Sequence, residues 1–396
     1  MLLVPHETLR PGMTVGRPIL HPDRDELVLL TRGFVLDQHT IEQLGSLGVT
    51  DVWIHVPGFE DVQAEASDEV DLGRMELYRV LSRSLRELEP RVSVRLDVKA
   101  YRGAVHDMLC GIIDHPEHEV VLRDLLNCGP RLARHMANCT YLALLLGAHL
   151  AGYLRRQRKS VPREVAENTA QLGLGTLLHD VGKLNLPEDL RTRTIMAPEA
   201  RTAAYRFHVT SGYDMVREHV SPVAANVVLH HHERFDGSGF PGRDVPSLDR
   251  SHALGGTKIH VFSRIAAVVD VFDHLLCRGA RPVPTIMAIH GLKSERFRAW
   301  FDPVIVEALL RLVYPFVVGS IVRLSNGTEA AVVENHPEAP CRPTVRPVRS
   351  SANGYEGARR DLDLRTRREL SVAEVDGIDV RPYLFTGEFE PTLLAS

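Results

Sequence analysis

The sequence predicts a mainly α protein: a helical bundle core flanked by a small N-terminal α/β module and a small C-terminal β-rich module. Three observations predict it. Residues 127–316 repeat apolar residues at helical period over most of their length. The first sixty residues alternate strand-like and helix-like stretches. After Tyr314-Pro315 the pattern breaks into short β-type runs around an Asn-Gly pair.

In chain order, Glu26 to Leu30 reads as a short strand. Asp37 is placed as an N-cap, Ile41, Leu44 and Leu47 follow at helical spacing, and Gly48 is a stop. Val49 to Val56 reads as a second strand, which completes a module over 1–60. Gly58 to Asp71 is acidic and aperiodic, as a linker is. Within 61–126, Leu77, Val80, Leu81 and Leu85 share one helical face, so this stretch is read as linker and connecting helices. The core spans 127–316, interrupted by a Pro- and Gly-bearing loop from Phe240 to Gly256. In 317–396, Ser320 to Leu324, Asn326-Gly327 and Ala330 to Val333 predict a hairpin with a type I′ turn.

The composition is that of an ordinary globular chain, 44% hydrophobic and 25% charged, with 396 residues for more than one domain. A net charge of −4 argues against binding bulk nucleic acid, and Arg359 to Arg368 mixes Arg with Asp as a solvated face does. The five cysteines, Cys110, Cys128, Cys139, Cys277 and Cys341, have no CxxC spacing, which points to reduced thiols in a cytoplasm. The N-terminus lacks the basic and apolar regions of a signal peptide. The longest apolar stretch, Tyr141 to Leu154, is too short and interrupted for a membrane span.

The unusual number is twenty histidines. In Leu177-Leu178-His179-Asp180-Val181-Gly182-Lys183, an imidazole and a carboxylate stand side by side, a pair suited to iron, manganese or zinc. Asp180 has two oxygens and so can bridge two ions. Lys183 follows at helical spacing, placed to meet a phosphate oxygen. An isolated His-Asp pair arises by chance, and its plain reading is a polar helix end. The run His230-His231-His232-Glu233-Arg234-Phe235-Asp236-Gly237-Ser238-Gly239-Phe240-Pro241 shifts that balance. Adjacent imidazoles beside a carboxylate are costly to bury unless they bind something, although a solvated loop cluster is the plain alternative. Asp-Gly-Ser-Gly then allows a tight loop with close backbone approach.

These segments resemble the HD-GYP subgroup of the HD-domain phosphohydrolases, bacterial cyclic di-GMP phosphodiesterases. Besides 177–183 and 231–241, Arg134 to Asn138 resembles the family's first His segment, and Phe207 to Gly212 its "HPxxG" segment. Ile265 to Asp273 resembles the segment with the last metal-binding Asp. The five blocks stand in the family's order. The resemblance implies a cofactor of two divalent metal ions, iron or manganese before zinc. One would be held by His135, His179, Asp180 and Asp270, the other by Asp180, His208, His231 and His232. It implies hydrolysis of cyclic di-GMP to pGpG or GMP by a hydroxide between the ions, with Asp180 and Lys183 as the catalytic residues. Lys183, Gly239, Phe240 and Pro241 would face substrate, with Glu233 and Asp236 steadying the ligands from behind. A diguanylate cyclase (GGDEF) or another signalling protein would dock at the Gly-Phe-Pro loop, and a homodimer is a further partner reading.

Three departures stand out. Arg131 occupies the position where some members carry a third-metal Glu, which implies two ions. Phe240 replaces the Tyr of GYP. The family's "ALTSxRPYR" is replaced by His274 to Pro282, so Arg278 or Arg281 is the candidate for the displaced phosphate grip. The stretch Leu248 to Lys258 also lengthens the loop. The alternatives are therefore a non-catalytic cyclic di-GMP sensor, and a phosphohydrolase of another nucleotide. The remaining histidines take the plain reading of surface or satisfied groups, except His274, one turn after Asp270.

Overall fold

The structure is a computed structural model describing residues 1–21, 28–62, 68–88, 96–115, 131–197, 202–242, 254–277, 282–351, 354–358 and 360–386. The chain opens with β1 (Leu2–Pro5), β2 (Thr14–Val15), β3 (Ile19–Leu20), β4 (Val28–Leu30), α1 (Gln38–Ser46) and β5 (Asp51–His55). Asp37 caps α1 by accepting from the Thr40 N–H at 2.7 Å, and Gly48 closes it with a positive φ. The strand read at 26–30 is β4, which pairs with β3 and not with β5; residues 26 and 27 lie outside the described set. β5 instead lies between β1 and β2. β1 escaped the sequence reading because it is only four residues long and ends in proline.

The stretch read as connecting helices is part of the core. α2 (Asp68–Leu88) and α3 (Val98–Asp114) bury Leu77, Leu81, Leu85, Tyr101 and Met108 in the same apolar cluster as the helices that follow. Those are α4 (Arg131–His149), α5 (Ala151–Gln157), α6 (Arg163–Glu167), α7 (Ala170–Leu178), α8 (Glu188–Arg191), α9 (Ala203–Val216) and α10 (Pro222–His230). α11 (Val261–Leu276), α12 (Thr285–Leu292), α13 (Glu295–Arg298) and α14 (Pro303–Leu312) complete the bundle. All sixteen residues of α11 are buried, and α4 is buried almost continuously from Ala133 to Gly147. Helices apolar all round belong at the centre, so any polar side chain on them is buried as well.

The strands after the bundle are β6 (Ile321–Leu324), β7 (Glu329–Glu334), β8 (Thr344–Ser351), β9 (Gly354–Gly357), β10 (Leu362–Asp363), β11 (Val372–Val375) and β12 (Ile378–Asp379). They form an antiparallel sheet in the order β10-β8-β7-β6-β11-β12, with β9 on β8. The β6–β7 hairpin is where expected, but its turn is not type I′. Only Gly327 has a positive φ, and its N–H donates to the Leu324 carbonyl at 2.8 Å. Asn326 instead accepts from the Thr328 N–H at 3.0 Å, the geometry of a turn closed by a glycine bulge.

The two end modules, expected to flank the core separately, share one apolar core of their own. Leu2, Val4, Val15 and Ile54 pack with Val322, Val332, Val345 and Val372, and Ile286 of α12 joins them. The Leu3 N–H donates to the Gly319 carbonyl at 2.9 Å. Arg346 donates to the Gly58 carbonyl and pairs with Asp61 and Asp361. Arg365 pairs with Asp363 and Glu338, so this charged face is internally matched.

A buried polar network fixes α11 against its neighbours. Arg264 pairs with Asp302 at the start of α14, and Tyr153 of α5 donates to Asp302 at 2.6 Å. Arg264 also donates to Gln157 at 2.7 Å and to the Ile259 carbonyl at 3.0 Å. Burial and the Asp302 carboxylate push the Tyr153 hydroxyl up to about 12, so it stays a donor. Removing one partner leaves a charge buried alone. Asp302→Ala should cost about 3–5 kcal/mol in urea unfolding; a loss under about 1 kcal/mol would mean the network contributes little.

Candidate metal centre

Five segments deliver polar side chains to one point between α4, α7, α9, α10 and α11. His135 comes from α4, and Asp270, Asp273 and His274 from α11. His179 follows the last residue of α7, and Asp180 opens the 3-10 turn Val181–Asn185. His208 lies on α9, His230 ends α10, and His231 and His232 follow it. Every one of these side chains is buried. The turn after α7 bears on Lys183. A 3-10 turn eclipses residues i and i+3, which carries the Lys183 Nζ to 2.5 Å from Asp180 Oδ2. The sequence had placed Lys183 on a continuing α-helix.

Three imidazoles are oriented the same way. Nδ1 of His179 faces the Thr176 carbonyl at 2.7 Å, that of His208 the Tyr205 carbonyl at 2.6 Å, and that of His231 the Val228 carbonyl at 2.8 Å. A carbonyl only accepts, so Nδ1 carries the proton and Nε2 keeps a bare lone pair. His135 is oriented by Asp273, with Nδ1 at 2.7 Å from Oδ2, and Asn138 donates to the other Asp273 oxygen at 3.0 Å. Burial above all drops His179 and His208 to about 3 and His232 well below its ordinary range, so these rings are neutral. Burial alone would raise Asp180, but Lys183 and the surrounding imidazoles outweigh it and hold the carboxylate ionised.

Asp180 stands between two sets of nitrogens. Its Oδ1 lies 3.5 Å from His208 Nε2 and 3.7 Å from His231 Nε2. Its Oδ2 lies 3.6 Å from Nε2 of both His135 and His179. His135 Nε2 is 3.2 Å from Asp270 Oδ1, and His232 Nδ1 is 3.5 Å from Asp270 Oδ2. Asp180 Oδ1, both Asp270 oxygens and Nε2 of His208, His231, His232 and His274 are buried without a hydrogen-bond partner. Unpaired buried polar atoms are costly, and seven at one point call for a cation. Asp180, His208, His231 and His232 form one group that could hold an ion, and His135, Asp270 and His274 another. Imidazole nitrogen with carboxylate oxygen suits first-row divalent metals. The nearest sulfur, Cys139, is 3.7 Å from His135 Nδ1 and forms with His135 and His179 a third group that could hold an ion; burial pushes its thiol up to about 12.

The other expected site residues fall differently. Glu233 does not touch a metal-facing nitrogen: it accepts from the Gly242 N–H at 2.7 Å and lies 3.6 Å from His230. Asp236 is exposed and accepts from the Ser238 N–H, because the loop needs that turn. Gly239 is required where it stands, since a Cβ there would lie 2.5 Å from the His232 carbonyl. Phe240 is buried, with its ring 4.7 Å from that of His232, and Pro241 is buried beside it. The loop therefore supports the ligand histidines from behind. Arg131 donates to the Cys277 carbonyl at 2.9 Å. Arg278 and Arg281 lie outside the described residues, as does the loop up to residue 253. Asp273 and Asn138 went unread because each is an ordinary polar residue on an apolar helix; their burial was the missing signal.

Residues 148–305 match the family model of the HD domain, and residues 321–378 that of a KOW domain associated with the HD domain. The chain is 29% identical over 178 residues to cyclic di-GMP phosphodiesterase PA4108 of Pseudomonas aeruginosa, covering 44% of this chain and 41% of that one. It is 33% identical over 171 residues to cyclic di-GMP phosphodiesterase response regulator RpfG of Xanthomonas campestris pv. campestris, covering 41% of each. It is 31% identical over 137 residues to 3′3′-cGAMP-specific phosphodiesterase 2 of Vibrio cholerae, covering 34% of this chain and 24% of that one. The match thus spans about two-fifths of the length of the first two relatives.

One contact tests the centre without touching a ligand. A Cβ on Gly182 would lie 1.9 Å from the His208 carbonyl and 2.5 Å from the Gly212 nitrogen. Gly182→Ala should therefore part the Asp180 turn from α9 and lower the metal retained after dialysis, measured by elemental analysis. Gly103→Ala, with nothing within 4 Å of the added carbon, should leave it unchanged.

Proposed function

Residues 148–305 of the helical core match the HD domain, and from that premise we propose that the chain is a metal-dependent phosphodiesterase hydrolysing cyclic di-GMP to pGpG or GMP. The observation that carries the proposal is the single Asp180 carboxylate between two pairs of imidazoles, with the unpartnered nitrogens of His208 and His231 at one oxygen and the nitrogens of His135 and His179, 3.3 Å apart, at the other. His135, His179, Asp180 and Asp270 would hold one divalent ion, and Asp180, His208, His231 and His232 a second. Iron or manganese fits nitrogen and oxygen donors with no thiolate. Bound there, two such ions supply a water of lowered pKa and neutralise charge on the phosphoryl group.

The chain's own residues then have separable tasks. The carbonyls of Thr176, Tyr205 and Val228 keep three lone pairs aimed inward before any ion arrives. Lys183, buried beside Asp180 with its pKa held above the usual lysine range by that carboxylate, cannot ligate and is the donor for a phosphate oxygen. Arg278 and Arg281 are the candidates for a second grip on phosphate. A GGDEF partner at the loop would meet Asp236 and Ser238, since Phe240 and Pro241 are buried. A homodimer is the second assembly to test. Free cysteines support a cytoplasmic setting, and among the described residues no single helix is long and apolar enough to cross a membrane.

Turnover of cyclic di-GMP, 3′3′-cGAMP and pGpG, on protein of measured metal content, tests the reading. Fully metallated protein that binds cyclic di-GMP without cleaving it would make the chain a sensor. Cleavage of another nucleotide alone would reassign the substrate.

Asp180→Ala should lose both metal equivalents and His135→Ala mainly one; two full equivalents in Asp180→Ala would refute the bridge. Lys183→Ala should keep both ions and lower turnover by about a hundredfold or more. Loss of metal in that variant would mean that Lys183 serves the carboxylate rather than the substrate.

A further inference from the structure

His274 has no part in the ligand set above, yet it stands inside the same cage. It is four residues after Asp270 on α11, so one helical turn carries both side chains to the same face. Its ring stacks on that of His135, with centroids 4.0 Å apart and planes 9° from parallel. Its Nε2 is 3.1 Å from Asp270 Oδ1, and His135 Nε2 is 3.2 Å from that same oxygen. A plain hydrogen bond from His274 to Asp270 is the ordinary alternative. The geometry does not make one: His274 Nε2 and Asp270 Oδ1 are both buried and both lack a hydrogen-bond partner. Two polar atoms so close, yet not aimed at each other, converge on a third point.

The separations fit a shared cation. Neighbouring ligands at about 2.1 Å from a metal and about 90° apart lie roughly 3 Å from each other. His274 to Asp270 and His135 to Asp270 have that spacing, and His179 Nε2 lies 3.3 Å from His135 Nε2. We propose that His274 is a fifth protein ligand to the ion held by His135, His179, Asp180 and Asp270. The proposal rests on the two-ion reading above. His274 would bring the protein ligands of that ion to five, against four from Asp180, His208, His231 and His232, and would leave more room for a substrate phosphate at the second ion. It is also the ion whose ligand His208 packs against Tyr205, the ring beneath Lys183.

The test uses the full chain, stripped of metal and reconstituted with Mn(II) as the probe. Stoichiometry and affinity are read by equilibrium dialysis, and imidazoles per manganese by X-ray absorption. Two variants are compared: His274→Phe, which keeps a ring over His135 without a nitrogen, and His274→Gln, with circular dichroism checking the fold of each. Wild type should bind two equivalents. Both variants should bind one of them at least about tenfold more weakly, with fewer imidazoles per manganese, while the other equivalent is unchanged. Two equivalents held as tightly in both variants would overturn the His274 assignment and leave the two-ion reading intact. Three equivalents in wild type, falling to two in both variants, would overturn the shared ion in favour of a separate site. A wild type that binds fewer than two overturns the two-ion reading, and this proposal with it.

Discussion

The structure depends on a carboxylate buried where no carboxylate is stable alone. Asp180 sits at the meeting point of five segments, and its two oxygens face nitrogens from four histidines and one lysine. Desolvation penalises its charge, and the Lys183 ammonium at 2.5 Å is the resident compensation. One ammonium does not satisfy the imidazole lone pairs turned to the same point. The demand left over is for positive charge that can accept lone pairs, which describes a metal ion and excludes another lysine or arginine.

The scaffold meets that demand by fixing directions. His179 and His231 follow the ends of α7 and α10 and His208 lies within α9, and each uses the carbonyl three residues back to hold Nδ1. Orientation is thus set by local backbone, at little cost in long-range packing. His135, within α4, is held instead by the side chain of Asp273 from α11. That dependence couples the site to the pairing of α4 with α11, and the Arg264 network anchors α11 in turn. Gly182 and Gly239 act by absence, since each lets backbone approach a ligand segment more closely than a Cβ allows.

How much of this the sequence disclosed follows from which interactions are local. His-Asp and His-His-His-Glu are dense enough in costly groups to be read without a fold. The helical face of Leu77, Leu81 and Leu85 was legible in the same way, because amphipathic period is local. Asp273 and Asn138 were not, since only the long-range packing of α4 on α11 makes them partners of His135. Lys183 was placed on the right side of Asp180 for the wrong reason: a 3-10 turn and an α-helix both bring i+3 near i, and local pattern does not separate them. The burial of Phe240 against His232 was not legible, because a Gly-rich loop carries no sign of which way it folds. The shared core of the end modules was invisible for a plainer reason. Leu3 and Gly319 meet across more than three hundred residues, and neither strand is periodic enough to name its partner.

The same division between local and distant bears on substrate choice. On the proposed reading, the metal ligands and Lys183 would address phosphate, whose charge every cyclic dinucleotide shares. Guanine and adenine differ at their edges, in donors and acceptors that imidazoles already committed to a metal cannot read. On that reading, discrimination among cyclic dinucleotides would come from residues outside the cage. The cage itself leaves little room to contribute: Phe240 lies against His232, and Glu233 holds the loop backbone at Gly242. Candidates are Arg278 and Arg281, which follow α11 in the sequence, and, among the described residues, the Arg206-Phe207 pair beside His208. Arg206 lies over the Phe240 ring and Phe207 is exposed, so one guanidinium and one aromatic face adjoin a ligand histidine. Guanidinium and aromatic planes are the surfaces on which a base stacks. On that reading, catalytic competence and base preference would vary independently, because different residues would supply them.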